Sequence, residues 1–342
     1  MRYCLTTLAA ALALGCSASV MAAPHSDIPD FAVTDSIGGP DGFWDLLAID
    51  SVSHRLFVGH GDRVMSVDLD TGTVNPKLLS GQRIHAAVPL AGNRVLATIG
   101  GTDSAVIADA DTGSSLATIP TGGNPDNAIP DPATGLILVM DHDGGDVTFV
   151  DPKTMSSPGR LKVGGELEQG AATANGTVYV NIEDQAKVAV IDTKARKVSA
   201  YYALPGCEEP SGLAFDPDTN IILSACGNET AVALHAEDGS VAATLKIGKG
   251  PDGAIFDPAR RLFFVPCGRD GVLTVISETK AGKLDVVANV PTAVGARTAT
   301  FDPKTGKIYL PTADFDFKNA KPGQRPNLVP GSFRILVVAA KP

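Results

Sequence analysis

The sequence predicts an all-β fold, a seven-bladed β-propeller of four-stranded antiparallel blades, on three observations. A sequence repeat of about forty-one residues recurs along the chain. Apolar runs of four to seven residues alternate with Gly, Pro, Asp and Asn, and no stretch keeps helical periodicity for three turns. A unit of this length cannot bury both of its faces alone, so neighbouring units must stack, and radial stacking makes a propeller.

The recurring phrase is an aliphatic strand, an Asp-Pro-x-Thr-Gly-like turn and a second strand, as in FDPDTNIILSAC (215–226), FDPARRLFFVPC (256–267) and FDPKTGKIYLPT (301–312). The third strand of each unit ends at one of seven positions: Asp68, Asp109, Asp151, Asp192, His235, Ser277 and Val338. The first five intervals between these positions are 41, 42, 41, 43 and 42 residues, and the last interval is longer. Seven units follow, the seventh with an insertion at 314–331. Turn chemistry explains the Asp, Pro and Gly of the turns, so we assign them no function.

The two ends of the repeat array predict how the ring closes. FAVTDSIGG (31–39) is typical of the fourth strand of a unit, and FRILVVAA (333–340) is typical of a third strand. We therefore expect the N-terminal strand to complete the last blade, which removes the open edge of that sheet.

The first residues have the pattern of a secretory signal. Arg2 precedes the apolar run LTTLAAALALG (5–15), and small residues lead to an expected cleavage after Ala22. The prediction is a signal peptide at 1–22 and one propeller domain at 23–342, periplasmic or secreted. A lipid anchor on Cys16 is the alternative. No later segment reaches the ~18 apolar residues of a membrane span.

The formal net charge is −10, from 28 basic and 38 acidic residues. An acidic surface repels phosphate backbones, so nucleic acid is an unlikely partner. We expect a monomer whose partner is a small ligand or a protein.

Several segments resemble a known repeat family: GCEEPSGLAFDPDTN (206–220), GPDGAIFDP (250–258), CGRDGVLTVI (267–276), VGARTATFDPKTGKIYLP (294–311) and VPGSF (329–333). They are similar to YVTN β-propeller repeats, and residues 31–340 resemble the YncE-like periplasmic proteins. The resemblance implies the fold and a periplasmic location. It also implies single-stranded DNA as a partner of some members, against which the acidity and few aromatic residues of this chain argue.

Strand order places the corners before the first strands and after the second strands on one face, which we call the top face. Charged residues gather there, and such crowding raises pKa values or attracts a cation. The alternative is that these corners are ordinary solvated turns. The predicted ligand-binding residues are Asp41, His60, His85, Asp126, Asp141, His142, Glu168, Glu208, Asp252 and Arg297.

Two smaller features of the top face carry expectations of their own. DHDGGD (141–146) contains Asp141, Asp143 and Asp146, which could supply oxygen ligands to calcium, although it lacks the full calcium-loop pattern and a plain polar loop is the alternative. The insertion at 314–331 is either a lid over the channel mouth or a packed excursion.

Three cysteines follow the signal. Cys207 starts one predicted strand and Cys226 ends its antiparallel neighbour, so both lie close enough for a disulfide, and Cys267 is expected to be free.

These observations favour a binding or interaction protein that uses the acidic top face and channel mouth for a ligand, cation or partner. No cofactor beyond a divalent cation, such as calcium, is indicated. The sequence contains no GxSxG, CxxC, CxxCH or HExxH motif, and GKGPDG (248–253) matches GxGxxG by letter only, because it precedes a strand rather than a helix. The alternative function is a metal-dependent enzyme of the lactonase or lyase type at the channel mouth.

Overall fold

A computed structural model describes residues 28–320 and 326–341. The predicted signal peptide, with the cleavage after Ala22 and the alternative anchor Cys16, lies outside the described residues. Within those residues, no helix is long and apolar enough to cross a membrane.

The described residues form strands joined by short turns, with three short 3-10 helices at Gly100–Thr102, Glu183–Gln185 and Phe317–Asn319. The strands, in chain order, are β1 (Phe31–Gly38), β2 (Leu47–Asp50), β3 (Arg55–Asp68), β4 (Val74–Leu90), β5 (Arg94–Ile99), β6 (Ser104–Asp109), β7 (Ser115–Pro120), β8 (Pro125–Pro130), β9 (Ile137–Asp141), β10 (Asp146–Asp151), β11 (Ser156–Lys162), β12 (Leu167–Ala172), β13 (Thr177–Ile182), β14 (Lys187–Asp192), β15 (Lys197–Ala203), β16 (Pro210–Asp216), β17 (Ile221–Cys226), β18 (Thr230–His235), β19 (Val241–Lys246), β20 (Ile255–Asp257), β21 (Leu262–Cys267), β22 (Val272–Glu278), β23 (Leu284–Pro291), β24 (Thr300–Asp302), β25 (Lys307–Thr312) and β26 (Arg334–Ala340).

The prediction of seven separate four-stranded blades is wrong. The described strands form six sheets: five of four strands and one of six. The six-stranded sheet has the order β2-β3-β4-β5-β6-β7, and the others are β8–β11, β12–β15, β16–β19, β20–β23 and β24–β26 with β1.

The first two repeat units share one sheet because their strands run on without a break. β3 continues for 14 residues and β4 for 17, about twice the length of most other strands. The register of β3 against β4 shifts near Gly61 and near Val64, and these shifts accommodate the corner between the two units. The hydrogen-bonded ladder therefore continues from one unit into the next. A repeat period counted from the sequence cannot reveal this continuity.

The ring closes through β1, which pairs antiparallel with β26 from Phe31 opposite Ala340 to Gly38 opposite Arg334. The first and last strands therefore complete one sheet, as the sequence segments 31–39 and 333–340 predict. Apolar clusters fill the space between each sheet and the next around the ring. Burial of these strand side chains supplies the main stabilising free energy.

The Asp-Pro turns lie on the face opposite the site and bury their carboxylates with full hydrogen bonding. Four aspartates share this role and are at most 1% exposed: Asp131, Asp216, Asp257 and Asp302. Asp302 accepts hydrogen bonds from the Lys304 amide and the Thr305 hydroxyl, and its Oδ2 lies 3.0 Å from His54 Nε2 in the turn before β3. These turns are structural, because their carboxylates already have partners.

Closure gives a first testable prediction. Phe31 in β1 is 4% exposed and packs edge-on against Phe264, whereas Val33 in the same strand is 38% exposed. We expect Phe31→Ala to lower the unfolding free energy by about 3 kcal/mol or more, because it empties a filled core position. Val33→Ala is the matched control, with an expected change below about 1 kcal/mol. Equal urea midpoints for the two variants would mean that β1 does not close the ring.

The pH dependence of stability tests the His54 contact. The hydrogen bond to Asp302 raises the pKa of His54 above its usual value, and this gain exceeds the opposing effect of burial. The stabilisation is present below pH ~6.5, where the histidine of the unfolded chain is also charged, and is lost as the pH rises through the higher folded-state value. The melting temperature of the wild type should therefore fall more steeply from pH 6 to 9 than that of His54→Gln. The exposed His235→Gln serves as control and should follow the wild type.

Candidate functional site

The site is a cavity of about 310 Å³ at the mouth of the central channel. Its walls come from the starts of the inner strands and from the corners beside them. Carboxylates, imidazoles and amides dominate the lining: Asp45, Asp126, Glu168, Glu183, Asp252, His85, His142, Asn124, Asn127, Gln169, Arg83 and Leu46.

Bulges in the inner strands direct the side chains into this cavity. The register of β4 against β5 shifts between Ile84 and Ala87, that of β8 against β9 between Pro125 and Ala128, and that of β12 against β13 between Leu167 and Gly170. Each bulge adds an unpaired residue and re-aims side chains at the end of a strand. The bulged segments contain His85, Asp126 and Glu168, so the same irregularity, repeated around the ring, builds the site.

Arg297 neutralises one side of the cavity. Its Nε donates to Asp252 Oδ2, and its Nη2 lies 3.3 Å from Asp45 Oδ1 and 3.2 Å from the Trp44 carbonyl. Charge-assisted bonds of this kind fix the two carboxylates relative to each other. Burial and the neighbouring Asp45 raise the pKa of Asp252, although Arg297 opposes this.

Two histidine–carboxylate pairs occupy the other side, with Asp126 between them. His85 Nδ1 lies 2.8 Å from Asp45 Oδ2 and 3.5 Å from Asp126 Oδ1. His142 Nδ1 lies 3.1 Å from Glu168 Oε1.

Ligand atoms converge in three groups among the described residues: Asp45 with His85 and Asp126, Asp126 with His142 and Glu168, and His142 with Glu166 and Glu183. Within each group the atoms lie within 4.8 Å of one another. Asp126 is common to the first two groups.

Crowding shifts the proton affinities of these groups. Burial and the Asp45 carboxylate raise the pKa of Asp126 to about 7. Burial also raises the pKa of Glu168 well above its usual value, while the hydrogen bond to Glu168 raises the pKa of His142 to about 9. Burial lowers the pKa of His85, but Asp45 and Asp126 together outweigh it and the net shift is upward. The cavity therefore retains protons in the absence of another cation.

Some buried polar atoms in the cavity wall lack hydrogen-bond partners among the described residues. Asn124 and Asn127 are 8% and 6% exposed, and the Oδ1 of each is unpartnered. Asp126 Oδ1 and His85 Nε2 are in the same state. Buried polar atoms in folded proteins are nearly always paired, so these mark positions where a bound group or water completes the structure.

Six of the ten predicted ligand-binding residues meet around this cavity: His85, Asp126, His142, Glu168, Asp252 and Arg297. The other four lie elsewhere. Asp41 is exposed and accepts a hydrogen bond from the Gly331 amide, Glu208 is exposed, and Asp141 is fully buried against the Thr148 hydroxyl. His60 is buried beside the ring of Phe333 and bonds to the Pro40 carbonyl.

The predicted calcium ligands Asp141, Asp143 and Asp146 do not form one of the converging groups among the described residues. Asp143 accepts a hydrogen bond from the Asn124 amide nitrogen at 3.2 Å and lies 3.7 Å from His142 Nε2. Asp146 lies 3.6 Å from the Lys162 ammonium.

Sequence reasoning missed Asp45 and the asparagines. Asp45 lies 40 residues before His85, and His85 lies 41 before Asp126, so the repeat period itself points to Asp45 rather than to Asp41. Asn124 and Asn127 flank Asp126, and only their burial distinguishes them from ordinary turn residues.

The insertion at 314–331 is described at 314–320 and 326–331. Phe315 packs 6.2 Å from the Trp44 ring and Phe317 is 60% exposed. Both line a second cavity of about 580 Å³, next to the channel mouth. This apolar wall lies beside Asp252 and Arg297, so the acidic cavity has an aromatic border on one side.

Cys207 and Cys226 are joined by a disulfide with their Cα atoms 5.4 Å apart, and Cys267 is free and buried. The disulfide links the chain before β16 to the end of β17, near the same face.

No protein-family model and no curated protein matches the sequence. Solved structures do match. A chain in a crystal structure of a mitotic checkpoint complex has a TM-score of 0.73 and 14% identity, with 88% of this chain and 95% of that chain covered. The structure of U3-55K has a TM-score of 0.71 and 11% identity, with 90% and 98% covered. At such identities the likeness shows the fold alone: this chain is a β-propeller, an architecture generally used as a binding scaffold.

The ion pairs of Arg297 give a prediction about stability. Arg297→Gln leaves the Asp252 carboxylate without its cation in a confined space and leaves Asp45 with His85 alone, and we expect the unfolding free energy to fall by about 3 kcal/mol. Lys283→Gln removes a cation from the exposed pair with Asp285 and should change it by less than about 1 kcal/mol. Urea denaturation in the presence of a chelator measures both, and equal effects would contradict the structural role of Arg297.

Proposed function

We propose that this chain is an exported binding propeller of the YncE-like kind, periplasmic or secreted, which binds a small cationic ligand at its channel mouth. The lining of the cavity carries the proposal. Five carboxylates face it against Arg83 on its wall, the paired Arg297 behind it and two imidazoles, so the carboxylates outnumber the cationic groups by one even when both imidazoles are charged.

The unpartnered oxygen atoms of the cavity wall also favour a positively charged ligand. Asn124 Oδ1, Asn127 Oδ1 and the Asp126 carboxylate oxygen accept hydrogen bonds or coordinate cations, and a carboxylate or phosphate ligand would be repelled by them. A cation would also replace the protons that the crowded carboxylates otherwise retain. Net charge and cavity chemistry thus argue for cations and against anions or nucleic acid.

A metal-dependent lactonase or lyase at the same cavity is the second candidate. It is favoured by Asp126, whose pKa of about 7 suits a general base that works at neutral pH. Turnover of a lactone that is lost on chelation and in Asp126→Asn would establish it.

Thermal-shift and calorimetric titration of the chelator-treated protein tests the binding proposal. The probes are spermidine, choline and a series of divalent cations, with citrate and inorganic phosphate as anionic counterparts. A ligand at a hundred times its Kd adds about 2.7 kcal/mol to the unfolding free energy, which raises the melting temperature by several degrees.

We expect cations to raise the melting temperature, anions to leave it unchanged, and Asp126→Asn or Glu168→Gln to weaken cation binding at least tenfold. Asp62→Asn is the matched control, because it removes the same charge from an exposed carboxylate that pairs with the adjacent Arg63. A shift by citrate or phosphate alone, or an equal loss in Asp62→Asn, would refute the proposal.

A further inference from the structure

We infer that Asp126 bridges two divalent metal ions at the channel mouth, one bound with His85 and Asp45 and the other with His142 and Glu168. The inference rests on the proposed function, because it specifies the cation that the cavity takes. Its basis is that two converging groups, each of one imidazole and two carboxylates, share this aspartate.

The spacing of the ligand atoms fits metal coordination. With metal–ligand bonds of about 2.1 Å, neighbouring ligand atoms lie about 3.0 Å apart around an octahedral ion and about 3.4 Å apart around a tetrahedral one. His85 Nδ1 lies 2.8 Å from Asp45 Oδ2 and 3.5 Å from Asp126 Oδ1, and His142 Nδ1 lies 3.1 Å from Glu168 Oε1. A metal ion can therefore take the place of the proton between His85 and its two carboxylates with little movement of the side chains. At the second group the ligand atoms lie within 4.8 Å of one another, and a metal ion there would also replace the 3.2 Å contact of His142 Nδ1 with the Leu167 carbonyl.

The outer ring nitrogens of both histidines lie near side-chain oxygen atoms, although neither forms a hydrogen bond with them. A histidine bound to metal through one nitrogen usually donates its other N–H to a carbonyl or carboxylate. His142 Nε2 lies 3.7 Å from Asp143 Oδ1. His85 Nε2 and Asn124 Oδ1, both buried and unpartnered, border one small space beside Gly100, where a methyl group would lie 3.0 Å and 2.5 Å from them.

Asn124 connects these two outer contacts. Its Nδ2 donates to Asp143 Oδ1 at 3.2 Å, which leaves its own Oδ1 directed at the space beside His85. Asn124 thus lies behind the His85 ring, on the side opposite the Nδ1 atom that faces Asp45 and Asp126. The buried Asn124 amide is an observation separate from the crowding of the carboxylates. A group of solvated surface carboxylates would not require an amide that is nine-tenths buried behind its histidines.

The ligand set selects the kind of metal. Mixed imidazole and carboxylate ligands suit first-row transition ions such as Zn²⁺ and Mn²⁺, whereas calcium prefers an all-oxygen shell. The unpartnered Oδ1 of Asn127 adds an oxygen that can accept a hydrogen bond from a metal-bound water. We therefore expect Zn²⁺ or Mn²⁺ rather than Ca²⁺.

The test is the number of metal ions bound per chain. Metals are removed from the purified protein with a chelator, the protein is reloaded, and binding is measured by mass spectrometry and calorimetry. The wild type should bind two Zn²⁺ or Mn²⁺ ions per chain. Glu168→Gln should bind one ion, and Asp126→Asn should weaken both by at least a hundredfold. Asp62→Asn should keep two, and circular dichroism of each metal-free variant checks that it is folded.

Asn124→Ala tests the outer contacts separately. As a positioning residue it touches no metal, so the stoichiometry of two should remain while the affinity falls about 10–100-fold. With Co²⁺ as probe, the visible spectrum of this variant should differ from that of the wild type, since the orientation of the His85 ring changes.

The outcomes separate the inference from the proposed function. Zero or one ion in the wild type, or two tightly held ions in Asp126→Asn, overturns the bridged pair. If spermidine or choline still binds in that case, the proposed cation site stands; if no cation of any kind binds, both fall.

Discussion

Closure of the ring is the constraint on which the rest of the structure depends. Pairing of β1 with β26 forces the sheets around one axis, and the starts of the inner strands then meet in a space of a few side chains. Charges that come from five separate corners, among them Asp45, Asp126 and Asp252, are held together by apolar packing between sheets rather than by their own attraction. Since hydrophobic burial is worth much more than the repulsion of a few partly solvated carboxylates, the fold can maintain this unfavourable group of charges.

The two faces show what the same residue type does in different surroundings. Asp302, in an Asp-Pro turn, is fully buried, yet the turn hydroxyl of Thr305 and the contact with His54 lower its pKa despite the opposing effect of burial. Asp126, at the channel mouth, has a raised pKa because burial disfavours its charged form, the Asp45 carboxylate repels it, and no N–H or O–H group donates a hydrogen bond to its Oδ1. Burial alone therefore does not distinguish structural from functional carboxylates. For these two aspartates the hydrogen-bond donors make the difference: they surround Asp302 and are lacking at Asp126 Oδ1, where a ligand would supply the missing contact.

Periodicity predicted much of the fold because each strand and turn has its own local signal. The Asp-Pro turns, the all-β class and the closing strand at 31–38 are visible in the letters. The number of sheets is not, because the continuity of β3 and β4 depends on hydrogen bonds across a corner, which no sequence pattern marks. Candidate site residues were found where the repeat alignment was secure, as for His85, Asp126 and Glu168. The alignment failed at Asp41, which lies 44 residues before His85 and so departs from the repeat period. Asn124 could not be identified from the sequence, because burial is a property of the ring and not of the segment.

The bulges of the inner strands explain why the site is rigid as well as charged. Each bulge directs two consecutive residues towards the axis of the ring. One of them can therefore line the cavity while the next forms hydrogen bonds to neighbouring parts of the ring. In β12, Glu168 faces the cavity, whereas Gln169 accepts hydrogen bonds from the amides of Leu213 and Ala254, which belong to two other parts of the ring. A carboxylate fixed in this way loses little conformational freedom when a ligand binds. The geometry that crowds these carboxylates together is thus the same geometry that suits the proposed cation.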